Sequence, residues 1–89
     1  AQAAVKSYKD LLVWQEAMAL AEAAYPLAAA LPDTERFALS AQMRRASVSI
    51  PSNIAEGYAR GSKGAYAQHL KIARGSLREL ETQIMLAAG

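Results

Sequence analysis

Residues 44–57, RRASVSIPSNIAEG, put a row of polar side chains on a segment that otherwise has the pattern of a core helix. The row consists of Arg45, Ser49, Asn53 and Glu56, whose spacing of four, four and three residues places them on one helical face. The same segment carries one proline, three serines and one asparagine, which are mediocre or poor helix formers. Local helix propensity therefore does not account for the row, and the sequence predicts that it has another role.

The polar row has two interpretations that the sequence leaves open. In the first, the side chains form a hydrogen-bond network between helices, because an asparagine buried without partners would cost roughly 1–3 kcal/mol. We expect this structural network to contain Arg45, Ser49, Asn53, Glu56 and Ser76, with Glu56 paired to an arginine such as Arg45 or Arg74. In the second, the row lines a pocket for a ligand or a nucleic acid, and catalysis is the least favoured use.

The apolar spacing predicts three helices, at about residues 8–31, 34–58 and 63–88. Asp33 or Thr34 can cap the second helix. Gly61 suits a left-handed residue at the end of that helix, and Ser62 suits the N-cap of the third. Both joints are short, so consecutive helices should lie antiparallel, and we expect a single all-α domain spanning residues 1–89.

The first helix carries two apolar rows, and the third carries one regular heptad. The rows of the first helix begin at Leu11 and Val13 and together cover about 160° of its circumference, which is wider than the usual apolar stripe. We therefore expect this helix to contact two neighbours, or one neighbour and another subunit. Pro26 and Pro51 should kink or locally interrupt the first and second helices. The heptad of the third helix consists of Tyr66, Leu70, Ala73, Leu77, Leu80, Ile84 and Ala87.

Charge is unevenly distributed along the chain, although the net charge is only +2. Residues 36–78 contain eight basic side chains and one acidic side chain, and the segments on either side are acidic. A basic block suits phosphates, acidic partners or other parts of the same fold. The candidate nucleic-acid-binding residues are Arg44, Arg60, Lys63, Lys71, Arg74 and Arg78. The alternative is a solvated face with pairs inside one helix, such as Arg78 with Glu81.

Gly75 lies in the middle of the third helix, where glycine costs about 1 kcal/mol relative to alanine. We expect a close approach of the second helix at this point, near Gly57 or Ala46. The alternative is a contact between the helix backbone and a phosphate group.

Several functional classes find no support in the sequence. There is no cysteine, and the single histidine, His69, has no clustered carboxylates, so no metal site is expected. No nucleophile, base and orienting group can be assembled, so no catalytic residue and no cofactor is predicted. The apolar stretch 17–31 is interrupted by Glu22 and Pro26 and is too short to cross a membrane, and no signal peptide is recognisable. We expect a cytoplasmic protein.

Three segments resemble the small four-helix-bundle proteins encoded within intervening sequences of bacterial 23S rRNA genes. They are YKDLLVWQEAMAL at residues 8–20, LSAQMRRASVSIPSNIAEG at residues 39–57 and IARGSLRELETQI at residues 72–84. The resemblance implies an antiparallel up-and-down four-helix bundle with three helices in this sequence and the fourth missing or truncated. Further chain is expected on both sides, and the heptad row of the third helix should be exposed where the fourth helix would pack.

The resemblance also implies a ring-like homopentamer. A related branch serves as accessory proteins of diversity-generating retroelements, to which nucleic-acid binding is attributed. Together with the basic block, this favours a non-enzymatic, homo-oligomeric module that binds RNA or DNA through a basic face of the second and third helices. Since no sequence-reading motif is present, binding should be mainly electrostatic. The alternative is a structural or protein-interaction module whose polar row organises the oligomer.

Overall fold

The computed structural model describes residues 5–31 and 37–88, which form one short 3-10 helix and three α-helices. The 3-10 helix spans Tyr8–Asp10, and the α-helices are α1 (Leu12–Ala29), α2 (Phe37–Ala59) and α3 (Lys63–Ala88). No β-strand occurs in these two ranges. The all-helical class predicted from the sequence is therefore confirmed.

The α-helix α1 begins at Leu12 rather than at Tyr8, because a capped 3-10 helix precedes it. The Ser7 hydroxyl accepts a hydrogen bond from the backbone N–H of Lys9 at 3.2 Å. In return, the Asp10 carboxylate accepts one from the N–H of Ser7, also at 3.2 Å. Leu11 then takes an extended conformation (φ −73°, ψ 124°), so the regular helix starts only after it.

The joint between α2 and α3 has the residues that the sequence predicted for it. Gly61 has a φ of +80°, the left-handed conformation that glycine adopts without steric cost. The Ser62 hydroxyl accepts a hydrogen bond from the N–H of Ala65 at 3.1 Å and caps α3. The predicted cap of the second helix at Asp33 or Thr34 lies outside the described residues.

Neither proline interrupts its helix, contrary to one expectation from the sequence. α1 continues through Pro26, and α2 continues through Pro51. A proline inside a helix removes one backbone donor, and the turns on either side of it supply the remaining hydrogen bonds. Both prolines also line the groove between α1 and α2, where a missing N–H leaves no donor to satisfy.

α2 is the central helix of the fold. It packs against both α1 and α3, whereas no Cα atoms of α1 and α3 come within 8 Å of each other in the described residues. The core consists of the inner row of α2, small residues of α1 and the heptad of α3. Its fully or nearly buried members are Ala17, Ala24, Ala28, Met43, Ala46, Ile50, Ile54, Ala73 and Leu80.

The heptad row of α3 is not exposed, which corrects the expectation drawn from the missing fourth helix. Ala73 and Leu80 are buried, and the other members of the row pack partly buried against the same core. α2 covers this row because its own inner face presents large apolar side chains, Met43, Ile50 and Ile54, that need an apolar partner. The exposed large residues of α3 lie on its other faces.

The buried residues of α1 are all alanines, and several of its large apolar side chains are exposed. The buried residues are Ala17, Ala21, Ala24 and Ala28, a spacing of four, three and four residues that faces α2. By contrast, Leu12 is 68% exposed and Leu27 is 54% exposed. Alanines let two helices approach closely, so α2 occupies the narrow seam between the two predicted apolar rows. The larger side chains on either side of that seam are only partly covered by α2 and remain accessible to solvent.

Candidate functional site

Basic side chains line one side of α3. Lys63, Lys71, Arg74 and Arg78 fall within about 80° of the helix circumference at 100° per residue, and all four are exposed. Arg78 donates to the Glu81 carboxylate at 2.9 Å, as the sequence suggested. No hydrogen bond or ion pair joins the side chain of Lys63, Lys71 or Arg74 to another described residue. We call these four residues the basic side of α3.

Gly75 lies on the exposed surface of α3, next to the basic side. A Cβ atom placed on Gly75 would meet no atom within 4 Å, so the expected close approach to α2 near Gly57 or Ala46 is wrong. The expectation failed because spacing places Gly75 in α3 but does not determine which face α2 covers. Within the described residues, no packing contact requires a glycine at this position.

Replacing Gly75 with Ala should raise the free energy of unfolding by about 0.5–1 kcal/mol, because alanine has the higher helix propensity and its methyl group enters open space. Urea unfolding followed by circular dichroism measures this change. A loss of stability would contradict the open surface at Gly75.

Two further candidate residues, Arg44 and Arg60, lie on α2 and already have partners. Arg44 donates to the Ser40 hydroxyl at 2.7 Å, and Ser40 donates to the Ala28 carbonyl of α1 at 2.8 Å. Arg44 therefore belongs to the side of α2 that faces α1, apart from the basic side of α3. Arg60 pairs with Glu56 one turn earlier, at 3.0 Å. It remains exposed beside the α2–α3 joint, close in sequence to Lys63.

The polar row of α2 divides into separate groups. The Ser49 and Ser76 hydroxyl groups lie 2.9 Å apart and link α2 to α3. Asn53 donates to the Ser49 carbonyl at 2.9 Å and to the Ser49 hydroxyl at 3.0 Å. Arg45 is exposed and outside this group, and Glu56 is exposed and bonded to Arg60. The network of five residues predicted from the sequence is therefore reduced to three.

Glu56 pairs with Arg60 rather than with Arg45 or Arg74, which corrects the predicted pairing. The cause is local geometry, because residues four apart are neighbours on a helix surface, whereas Arg45 is eleven positions away. The Glu56 carboxylate also lies 3.9 Å from Nε2 of His69 on α3. The Arg60–Glu56 ion pair is exposed at both side chains and therefore contributes little to stability.

α2 and α3 approach each other closely at Gly57 and His69, a contact that sequence reasoning missed. A Cβ atom on Gly57 would lie 2.4 Å from the Cβ atom of His69, a distance that real Cβ contacts do not show. Nδ1 of His69 lies 2.9 Å from the Ala65 carbonyl oxygen, so the ring is held against the preceding turn of α3. The glycine that allows close helix packing is therefore Gly57, and its partner is a histidine rather than Gly75.

Two tyrosines meet at the joint between α2 and α3. Tyr58 precedes the joint and Tyr66 follows it, and their ring centroids lie 6.0 Å apart at an interplanar angle of 82°. Both side chains are half-buried. Together with Gly61, Ser62 and Lys63 they line a cleft of about 380 Å³. Sequence reasoning missed this cleft, although the two tyrosines on either side of Gly61 and Ser62 are a signal that could have revealed it.

An apolar groove of about 850 Å³ runs between α1 and α2 on the outer surface. Its walls include Trp14, Met18 and Tyr25 from α1, and Val48 and Pro51 from α2. The ring of Tyr8 closes one end and meets Trp14 edge to face, with centroids 5.2 Å apart. Trp14 and Tyr25 thus lie along one open groove.

Neither a metal-binding cluster nor a membrane span occurs in the part of the chain that the structure describes. No group of three or more His, Asp or Glu side chains that could hold a metal ion is found among these residues. None of their helices has the length and apolarity needed to cross a membrane.

The model of the 23S rRNA-intervening sequence protein family matches residues 9–89 of the chain. A search of curated proteins finds no match. The matched region includes α1, α2, α3 and the polar row of residues 45–56. The chain therefore belongs to the 23S rRNA-intervening sequence protein family.

Proposed function

We propose that this protein is a non-enzymatic, homo-oligomeric helical module of the cytoplasm that binds RNA or DNA through the basic side of α3, with Arg60 of α2 beside it. The observation that carries the proposal is the set of exposed cations on α3 that have no partner in the described residues. Phosphate groups are the natural counterions for such a row, and their neutralisation releases condensed salt ions. Such binding needs no catalytic residue and no cofactor.

The exposed Gly75 supports this proposal independently of charge. It lowers the intrinsic stability of α3 by about 1 kcal/mol relative to alanine, and the surface above it is open. Glycine in such a position permits another molecule to approach the helix backbone closely. Lys71 and Arg78 lie one turn to either side of Gly75, so a phosphate backbone that approaches there would meet both cations.

The proposal is tested by a mobility-shift titration of the intact oligomer with labelled RNA and DNA at about 50 mM and 200 mM salt. We expect binding at low salt that weakens steeply as salt increases, since each phosphate contact contributes about 0.7 on a single strand, or 0.9 on a duplex, to the slope of log affinity against log salt. Absence of binding to both nucleic acids at low salt would refute the nucleic-acid function.

Self-association is the second part of the proposal, and the apolar surface of α1 supports it. Large exposed apolar patches on a small protein mark contacts with other proteins. The groove between α1 and α2 offers such a patch to a second copy, and a ring of copies would repeat the basic side of α3 and multiply weak phosphate contacts. We propose the pentamer of the resembling proteins as the stoichiometry, which sedimentation equilibrium measures.

We further propose that the three helices form part of a four-helix bundle. α1 and α3 both pack on α2 but stay apart from each other, so a fourth helix could lie between them. Leu27 on α1 is an exposed large side chain available to such a helix. This arrangement would leave the outer groove between α1 and α2 free for subunit contacts.

Replacing Val48 with Glu should disrupt self-association. Val48 lines the groove and is 44% exposed, so the fold tolerates a larger polar side chain there. A carboxylate buried in a subunit contact loses its hydration, and we expect self-association to weaken about 30-fold or more. Sedimentation velocity at several concentrations measures the effect.

The matched control is Leu12→Glu, which makes the same kind of change at a more exposed residue that does not line the groove. We expect this variant to associate like the wild type. Equal association of the wild type and the Val48→Glu variant would exclude the groove as the subunit contact.

The alternative function, a structural or protein-interaction module, is favoured by the same groove together with the Ser49–Ser76 link between helices. On this alternative, the polar residues organise the helices and the oligomer, and the cations are only a solvated face. The two functions separate cleanly: a stable oligomer that binds neither RNA nor DNA at low salt supports the alternative. Replacing Asn53 with Leu adds a second criterion, because only an architectural role predicts an altered oligomeric state with unchanged nucleic-acid binding.

A further inference from the structure

The cleft at the α2–α3 joint combines aromatic surface with positive charge. Tyr58 and Tyr66 form its walls, and Lys63 lies at its edge. Its volume of about 380 Å³ lies at the small end of the ~300–1,000 Å³ that bound small molecules occupy. The cleft can therefore hold one planar group rather than a large ligand.

The two tyrosine rings meet edge to face and do not stack on each other. In this arrangement the edge of one ring contacts a face of the other. The two tyrosines therefore cover at most one of their four ring faces between them. Both rings are half-buried, and neither hydroxyl group is hydrogen-bonded to a described residue. A planar ligand that enters the cleft can thus stack on a ring that is already fixed in position.

Positive charge continues from the cleft along α3. Lys63 and Arg74 differ by only about 20° around the helix and lie about 16 Å apart along it, with Lys71 between them in sequence. Arg60 adds an exposed guanidinium group on the other side of the joint. A chain of phosphates leaving the cleft would therefore remain next to cations.

We infer that the tyrosine cleft stacks one base of a single-stranded nucleic acid whose phosphates follow the basic side of α3. This inference rests on the proposed nucleic-acid function and names the substrate class of that function. Stacking on tyrosine requires an unpaired base with a free face, whereas the bases of a duplex are stacked on one another. Aromatic stacking accepts every base, which agrees with the absence of a sequence-reading motif in the chain.

Replacing Tyr58 with Leu tests the inference, and Tyr58→Phe is the matched control that keeps the ring. Tyr58 is the appropriate position because Tyr66 also packs against the core. The probe is a fluorescein-labelled oligothymidylate of about 15 nucleotides, near the upper end of known single-strand site sizes, with a duplex of equal length for comparison. Fluorescence anisotropy gives both affinities, and circular dichroism with sedimentation verifies fold and oligomeric state.

We expect the wild type and Tyr58→Phe to prefer the single strand, and Tyr58→Leu to lose about tenfold in single-strand affinity with duplex affinity unchanged. Equal single-strand affinity of the wild type and a folded Tyr58→Leu variant would refute the inference, and the tyrosines would then only brace the joint. If that result accompanies strong salt-dependent binding that disappears on removing Lys71 and Arg74, the proposed function stands and the stacking site alone fails. If the wild type binds neither probe, both fail.

Discussion

Replacing Gly57 with Ala should destabilise the fold by about 1–3 kcal/mol, although alanine is the better helix former. The added Cβ atom would lie 2.4 Å from the Cβ atom of His69 and 3.0 Å from its Cγ atom. A Cβ atom cannot rotate away, so α3 has to move relative to α2. Each kcal/mol of destabilisation corresponds to a decrease of roughly 4–8 °C in the unfolding temperature of a domain of this size. Thermal unfolding followed by circular dichroism measures the decrease.

Two controls separate the steric conflict from other effects of the substitution. Gly75→Ala makes the same chemical change in a helix with open space above it, and it should increase stability. In the background of Gly57→Ala, His69→Ala should give little relief because it retains the Cβ atom, whereas His69→Gly should recover part of the stability. If Gly57→Ala is as stable as the wild type, α2 and α3 are not in close contact at this point.

The two glycines illustrate what the sequence could and could not predict. Helix propensity identified Gly75 as a residue that needs an explanation, and spacing placed both Gly75 and Gly57 in helices. The sequence suggested a close approach of Gly75 to the second helix near Gly57 or Ala46. The close contact is instead between Gly57 and His69, because the register between two helices depends on how all their side chains interlock.

The apolar pattern of α1 was predicted correctly as two rows, but not the surface that α2 covers. Periodicity measures where apolar residues lie, and it counts alanine and leucine alike. Packing distinguishes them, because alanines permit a close approach of two helices. α2 therefore packs against the alanines of α1. This is why large residues such as Leu27 remain exposed in α1 while Ala24 is buried. On the other side of the seam, Tyr25 is 43% exposed and lines the groove that we propose as the subunit contact.

The polar row shows the same limit for the candidate site. Spacing put Arg45, Ser49, Asn53 and Glu56 on one face of α2, but α3 contacts only part of that face. The short side chains of Ser49 and Asn53 lie at the contact, whereas the charged side chains at the ends of the row extend into solvent. The candidate cations of α3 were easier to predict, because three of them, Lys71, Arg74 and Arg78, recur at spacings of three and four residues on a side of the helix next to the apolar heptad.

Removing the charges of Lys71 and Arg74 together, as Lys71→Gln with Arg74→Gln, should weaken nucleic-acid binding about a hundredfold at 50 mM salt if both bind phosphates. Each neutralised phosphate contributes roughly one order of magnitude to the affinity at that salt concentration, because a condensed counterion is released for each charge neutralised. These two residues are better choices than Arg78, whose charge is partly compensated by Glu81 at 2.9 Å. Fluorescence anisotropy titrations at several salt concentrations measure the affinity and the salt slope.

The matched control is Lys6→Gln with Lys9→Gln, which removes two exposed positive charges from the segment around the 3-10 helix. Both double variants have the same net charge, so a general electrostatic attraction would weaken equally in both. A localised interface predicts a large decrease in affinity and a smaller salt slope for the α3 variant only. On a single strand, the slope should decrease by about 0.7 for each phosphate that is no longer neutralised. Equal decreases in the two variants would mean that nucleic acid is attracted to the net charge of the protein, and the basic side of α3 would not be its binding surface.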